Sequence, residues 1–326
     1  MSDPKKHHFV PECYLKEYSG GKDLYCLDLP LLLDRNKVSV KCKNPSQVCY
    51  IIDFYSINNV NFFDLSNYNV YHIETLSFKK LENNYRKNVT SLVQNLKLNS
   101  DQCIQFSDFI LQIKIRNPFF LKVSEYNKEK NLDNVKNDLL IKVLNEDRFK
   151  KIPKEIVSET IELFGKRLSE SKTFIRDMQL KQLIEKSNPR SPSIVKFRES
   201  MLDCKWYLLD CKNCNSSFFT SDNPGISISD KGIFENTKFA KGFKFFFPIS
   251  NRFCLTFSDH SKDNFFKKGM VGEKSIEILE INEAHLKYLN TLFTPYHNKY
   301  LFSSSKEDLV DFGNYVLNIS SKTPSE

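Results

Sequence analysis

The chain predicts an α+β fold: a mixed or antiparallel sheet built from N- and C-terminal strands, with a large central helical segment packed on it. Three observations predict it. Tyr, Val, Ile and Phe crowd the stretch up to about residue 73, where strands are expected. From about Glu74 to Lys205 the apolar residues recur at helical spacing. From Trp206 onward, short aromatic and β-branched runs return. No Gly/Ser-rich linker divides these zones, so residues 1–326 are expected to form a single α+β domain.

In the first zone, residues 23–29 and 37–43 read as strands about a turn at Asp34-Arg35-Asn36, and residues 47–57 add a strand or an irregular edge. Leu76, Leu81, Tyr85, Val89, Leu92, Val93 and Leu96 then make residues 74–98 one long helix. Ser100-Asp101 can cap the next helix, which carries Phe106, Phe109, Ile110 and Ile113 and stops before Pro118. Further helices are expected at 124–145, 154–169, 173–186 and 193–203, with a Pro-bearing loop at 187–192. In the last zone, 206–210 and 217–220 read as a hairpin about 212–216. Residues 243–249, 253–257 and 299–303 read as strands, and 282–293 and 305–312 as helices.

Composition narrows the function classes. Apolar residues make 40% of the chain and aromatic residues 13%, which excludes collagen-like and largely disordered readings. Lys and Arg total 48 against 40 Asp and Glu, a net charge of +8 that favours an anionic partner. The N-terminus has no apolar stretch behind its charges, and no run approaches the roughly 20 apolar residues of a membrane helix. Nine Cys without regular spacing suit buried thiols in a reducing compartment, so a cytoplasmic protein with no membrane partner is expected. There is no Walker loop, Rossmann fingerprint, Gly-x-Ser-x-Gly elbow or His-Glu-x-x-His. Cys211 and Cys214, with Cys204 upstream, have knuckle-like spacing but no matching second pair.

Four signatures occur in order. They are Lys6-His7-His8-Phe9-Val10-Pro11 running on to Tyr18; Glu74 with Lys80-Leu81-Glu82-Asn83; Phe109 through Pro118; and Phe218-Phe219-Thr220-Ser221-Asp222-Asn223-Pro224 with Phe247-Pro248-Ile249-Ser250. Together they make the chain resemble the bacterial family DUF4238, a domain of unknown function, over nearly its whole length. Cys13 stands where such proteins often carry Phe. The resemblance implies a family and no reaction, so function rests on the residues.

His7 and His8, if extended, point to opposite sides of the strand. One can bind a metal or act as a base while the other orients it or contacts phosphate. The pair also resembles the start of a His-Asn-His nuclease finger, without that finger's continuation. Glu74 and Glu82 lie about 80° apart around a helix and roughly 12 Å apart along it, too far to share one ion. They can line one groove, or one can serve the site while the other holds a cation. Gln112 and Arg116 share an otherwise apolar helix face, so each needs a partner. Arg116 either pairs with Glu74, Glu82 or Asp222, or clamps a phosphate or carboxylate. Asp222, at the end of a strand, either caps a turn or serves as a rigidly held ligand or base. Lys241 and Lys244, in the Phe-Lys strip at 239–245, belong to a half-exposed strand or present cations and rings to single-stranded nucleic acid.

These residues lead to an expected function: a metal-assisted, nuclease-like hydrolase acting on nucleic acid, in the setting of a bacterial defence or toxin effector. His8, Glu82 and Asp222 hold a divalent ion (Mg, Mn or Zn). His7, His8, Arg116 and Asp222 form the catalytic set, and Gln112, Lys241 and Lys244 bind substrate. The alternative is a non-enzymatic nucleic-acid or protein binding or sensor module, in which the same polar residues form a structural network.

Overall fold

Strands from the two ends of the chain pair with each other. Leu24–Asp28 lies between Val40–Lys43 and Tyr300–Ser303, and Tyr300–Ser303 also pairs with Thr220–Ser221, all antiparallel. The computed structural model describes residues 5–20, 23–58, 60–185, 192–232, 234–235, 242–295 and 297–320. Among these, a larger mixed sheet runs in the order Lys97–Asn99, Glu273–Glu280, Cys204–Asp210, Phe253–Lys262, Lys244–Pro248, Ile226–Ile228 and Phe234–Glu235. Its one parallel pairing sets Ile276 beside Trp206. A short ribbon pairs Lys6–His8 with Tyr50–Ile52, with His7 opposite Ile51. The architecture is α+β, as the residue pattern predicts.

Three local expectations change. Residues 34–36 do not make a hairpin turn, because Leu29–Arg35 is helical. Asp28 caps it by accepting the Leu31 N–H at 3.1 Å, Pro30 sits in its first turn, and Asn36 closes it in the left-handed region at φ 51°. The expected hairpin at 206–220 is also absent, its two halves lying in different sheets. Asn290 accounts for this. Its side chain accepts the Phe219 N–H at 3.0 Å and donates to the Ser217 carbonyl at 2.9 Å, occupying backbone groups a hairpin ladder would use. Finally, Pro118 opens a helix, Pro118–Asn145, with Asn117 capping the Phe119 N–H. Most of the expected loop at 187–192 lies outside the described residues; Pro192 itself opens the helix Pro192–Asp203.

Among the described residues, helices Lys79–Asn95, Ser100–Arg116 and Pro192–Asp203 all meet the larger sheet. Ser100–Arg116 is capped by Asn99 and Gln102 reciprocally, a capping box one residue before the expected cap. Phe106, Phe109, Ile110 and Ile113 on it are buried, and the Phe109 ring stacks on Tyr85 at 4.1 Å. Tyr85 belongs to Lys79–Asn95, which continues from a π-helical turn, Ile73–Phe78. Trp206 on the sheet is 1% exposed and faces Phe106 and Phe257. Helices Pro118–Asn145 and Lys154–Glu170 pair with each other, Lys136 bridging to Glu162. No helix among the described residues is long and apolar enough to cross a membrane.

Candidate functional site

The C-terminal half of the central helix buries Gln112, Lys114 and Arg116, with Asn117 just beyond, among Ile113 and Ile115. Buried polar groups need partners, and Lys114, Arg116 and Asn117 find theirs far along the chain. Arg116 is fully buried. Its Nε donates to the Phe9 carbonyl at 3.2 Å and its Nη1 to Glu82 Oε1 at 2.9 Å, while the guanidinium lies 4.3 Å from the Phe78 ring centre. Tyr55 donates its hydroxyl to the Arg116 carbonyl. Burial opposes the charge on Arg116, but Glu82, Tyr55 and Glu74 outweigh it and hold the guanidinium protonated. The Arg116 Nη2 has no hydrogen-bond partner among the described residues.

The strand Lys6–His8 sends its two histidines to different surroundings. His7 is fully buried and accepts the Tyr55 N–H at its Nδ1, 2.8 Å away, with its ring stacked on Tyr55 and edge-on to Tyr71. His8 is half-buried and sits beside Tyr50. Its Nε2 is buried and has no hydrogen-bond partner among the described residues. Burial first, then the nearby Arg116 charge, pushes protonation of His8 below the usual histidine range; Glu12, the Ser46 carbonyl and Glu82 pull the other way. Glu12 and Glu82 are partly exposed, and Glu12 lines an open cavity of about 450 Å³ with Lys16, Glu17, Asn44 and Arg86.

Asp222 is a different kind of group. Its Oδ1 accepts the Asn298 N–H at 2.8 Å, and its Oδ2 accepts the N–H groups of Lys299 and Tyr300. Burial lifts its carboxyl to about 6, against these amides, which favour the carboxylate. Asn117 donates to the Asp222 carbonyl at 2.8 Å and accepts from Asn298 at 3.0 Å. Lys114, also buried, donates to Asn223 Oδ1 at 3.1 Å and to the Gly225 carbonyl. Gly225 has φ +80°, and a Cβ there would meet the Phe247 ring at 2.7 Å, so only glycine lets the turn pass beneath the sheet.

The structure therefore joins His8, Glu82 and Arg116 but does not build the expected metal triad. Among the described residues no three His, Cys, Asp or Glu side chains are placed to hold an ion. Asp222 fails as the third ligand because backbone amides already take both its oxygens. The expected substrate-binding role of Gln112 also fails on burial: it is 2% exposed, and both atoms of its amide lack hydrogen-bond partners among the described residues. Lys244 is exposed at a strand end opposite Ser258, whereas Lys241 lies outside the described residues. Glu74 sits on the π-helical turn and acts on Arg116 electrostatically. Sequence reasoning assigned no role to Lys114, Tyr55, Asn117 or Glu12. A lysine between two isoleucines in an apolar helix run was a signal for the first, and nothing local marked the others.

The sequence model of one family, described as a protein of unknown function (DUF4238), matches residues 6–307, and the chain belongs to that family. No curated protein and no solved structure matches it.

Proposed function

We propose that the protein is a nuclease-like hydrolase acting on nucleic acid, with His8 as its general base. One observation carries this reading. A half-buried histidine beside Arg116 and Glu82 carries a buried ring nitrogen, Nε2, with no hydrogen-bond partner among the described residues, and is biased towards its neutral form. A neutral imidazole can take a proton from water or a ribose hydroxyl. Arg116 is a positioning residue here, since it is fully buried and acts through His8 and Glu82. A divalent ion, if used, would have His8 Nε2 and the partly exposed Glu82 as protein donors, with substrate phosphate and water in the remaining positions. The net charge of +8 suits a polyanionic substrate. An intracellular nucleic-acid target would place the protein in the cytoplasm, where a bacterial defence or toxin effector acts.

A second reading, a non-enzymatic binding or sensor module, is favoured by a different observation. His7, Arg116 and Asp222 are all buried and engaged within the protein. The test is cleavage of labelled RNA and DNA with and without Mg²⁺, Mn²⁺ or Zn²⁺, by wild type and His8→Gln, with binding measured in parallel. The hydrolase reading expects His8→Gln to bind as wild type does and to lose cleavage by at least about a hundredfold. Binding without cleavage by wild type under every ion would leave the binding module instead.

A further inference from the structure

Away from His8, the chain between Ile57 and Val70 forms a closed loop, its ends joined by the Ile57 N–H to the Val70 carbonyl at 2.8 Å. The helix Phe174–Glu185 fixes this loop in place. Buried Asp177 accepts the Asn61 N–H at 2.9 Å, and Arg176 donates to the Ser56 carbonyl at 2.8 Å. Two open cavities flank it. One, about 620 Å³, is lined by Phe62, Phe63, Leu65 and Tyr68. The other, about 410 Å³, is lined by Leu163, Lys166, Arg167 and Glu170. Both include Asn61 and Phe62, so they adjoin.

Rings and cations alternate along this surface. The Arg167 guanidinium lies 5.7 Å from the Phe62 ring centre, and the Lys181 ammonium lies 4.4 Å from that of Phe63. Phe62 and Phe63 are half-buried and Tyr68 is 38% exposed, with Phe62 packed against Phe174 at 5.0 Å and Tyr68 against His72 at 4.8 Å, so each of the three residues keeps some exposed surface. Asp64 also lines the larger cavity, its carboxylate kept charged by two bonds from Ser66, and can accept from the exocyclic amines of bases. We propose that Phe62, Phe63 and Tyr68, with Lys166 and Arg167, form a binding groove for single-stranded nucleic acid. The rings stack on unpaired bases and the cations follow the phosphates. A duplex hides its base faces within its own stack, so the rings select single strands. The groove rests on the nucleic-acid reading above and names the form of substrate it takes.

The test is fluorescence anisotropy of labelled oligothymidylate and oligouridylate of about 12 nucleotides, within the usual site size for such surfaces, with a duplex for comparison. Wild type should prefer the single strands. Phe63→Ala and Tyr68→Ala should each weaken that binding about tenfold. Lys166→Glu, on an exposed helix surface, should weaken it and flatten its salt dependence, and it keeps the test sharp should a ring variant fold poorly. Thermal melts accompany each variant. If wild type binds single strands and all three variants bind equally well, the groove is wrong while the nucleic-acid reading stands. If wild type binds neither strand form, both fall.

Discussion

The hydroxyl of Tyr14 lies 2.6 Å from Thr220 Oγ1, joining residues 206 positions apart, and donates to the Pro248 carbonyl at 2.7 Å. This contact brings the N-terminal signature onto the strand that leads into Ser221-Asp222-Asn223-Pro224. Tyr14→Phe keeps the ring and removes only the hydroxyl. It should cost about 1–3 kcal/mol, since the buried carbonyl loses its donor. Urea denaturation measures this, and an unchanged midpoint would show that the contact does not hold the two ends together.

Arg116→Ala should destabilise by about 3–5 kcal/mol, because it removes a buried guanidinium and leaves Glu82 without its counter-charge. Glu82→Gln should cost less, as Glu82 is 31% exposed and water can serve what remains. The expected order in chemical denaturation is wild type, Glu82→Gln, Arg116→Ala, and a reversed order would count against Arg116 as the centre of the network.

Asp222→Asn places an NH₂ group where a carboxylate oxygen accepts backbone N–H donors. Donor then faces donor, and stability should fall by about 1–3 kcal/mol. This differs from what a metal ligand would do, since replacing a ligand carboxylate removes activity while leaving the fold intact. Melting temperature and activity measured on the same sample decide between them.

Lys114 supplies a pH signature. Burial pushes its amine well below the usual lysine range, so between the folded and unfolded values the unfolded chain binds the extra proton. Stability should therefore rise as pH increases from neutral towards about 10.4, the ordinary lysine value. Lys114→Met should lose this slope. Denaturant midpoints at several alkaline pH values would show parallel curves for the two proteins if the argument fails.

For His8 the sign concerns activity. Its protonation is pushed below the 6.5 ordinary for histidine, so the base stays neutral into mildly acidic solution. The acid limb of any cleavage profile should lie below pH 6.5, and a limb above that value would point to another group.

Much of the fold was legible because helix and strand periods are local. The spacing of Phe106, Phe109, Ile110 and Ile113 defines a buried helix within a few turns, and Pro118 marks its end. The same reasoning required a partner for Arg116, a carboxylate of the chain or a bound anion, since an apolar face cannot leave a guanidinium alone. The chain by itself determined the α+β class, the central helix and the need for an anionic partner at Arg116. Only the tertiary structure chose Glu82 as the partner and gave Asp222 to the backbone amides of Asn298, Lys299 and Tyr300, some 76 to 78 positions away. A carboxylate at a strand end looks the same in sequence whether it faces an ion or a row of N–H groups. Which of these it meets depends on the strand the folded chain lays beside it, and that pairing has no local period to reveal it.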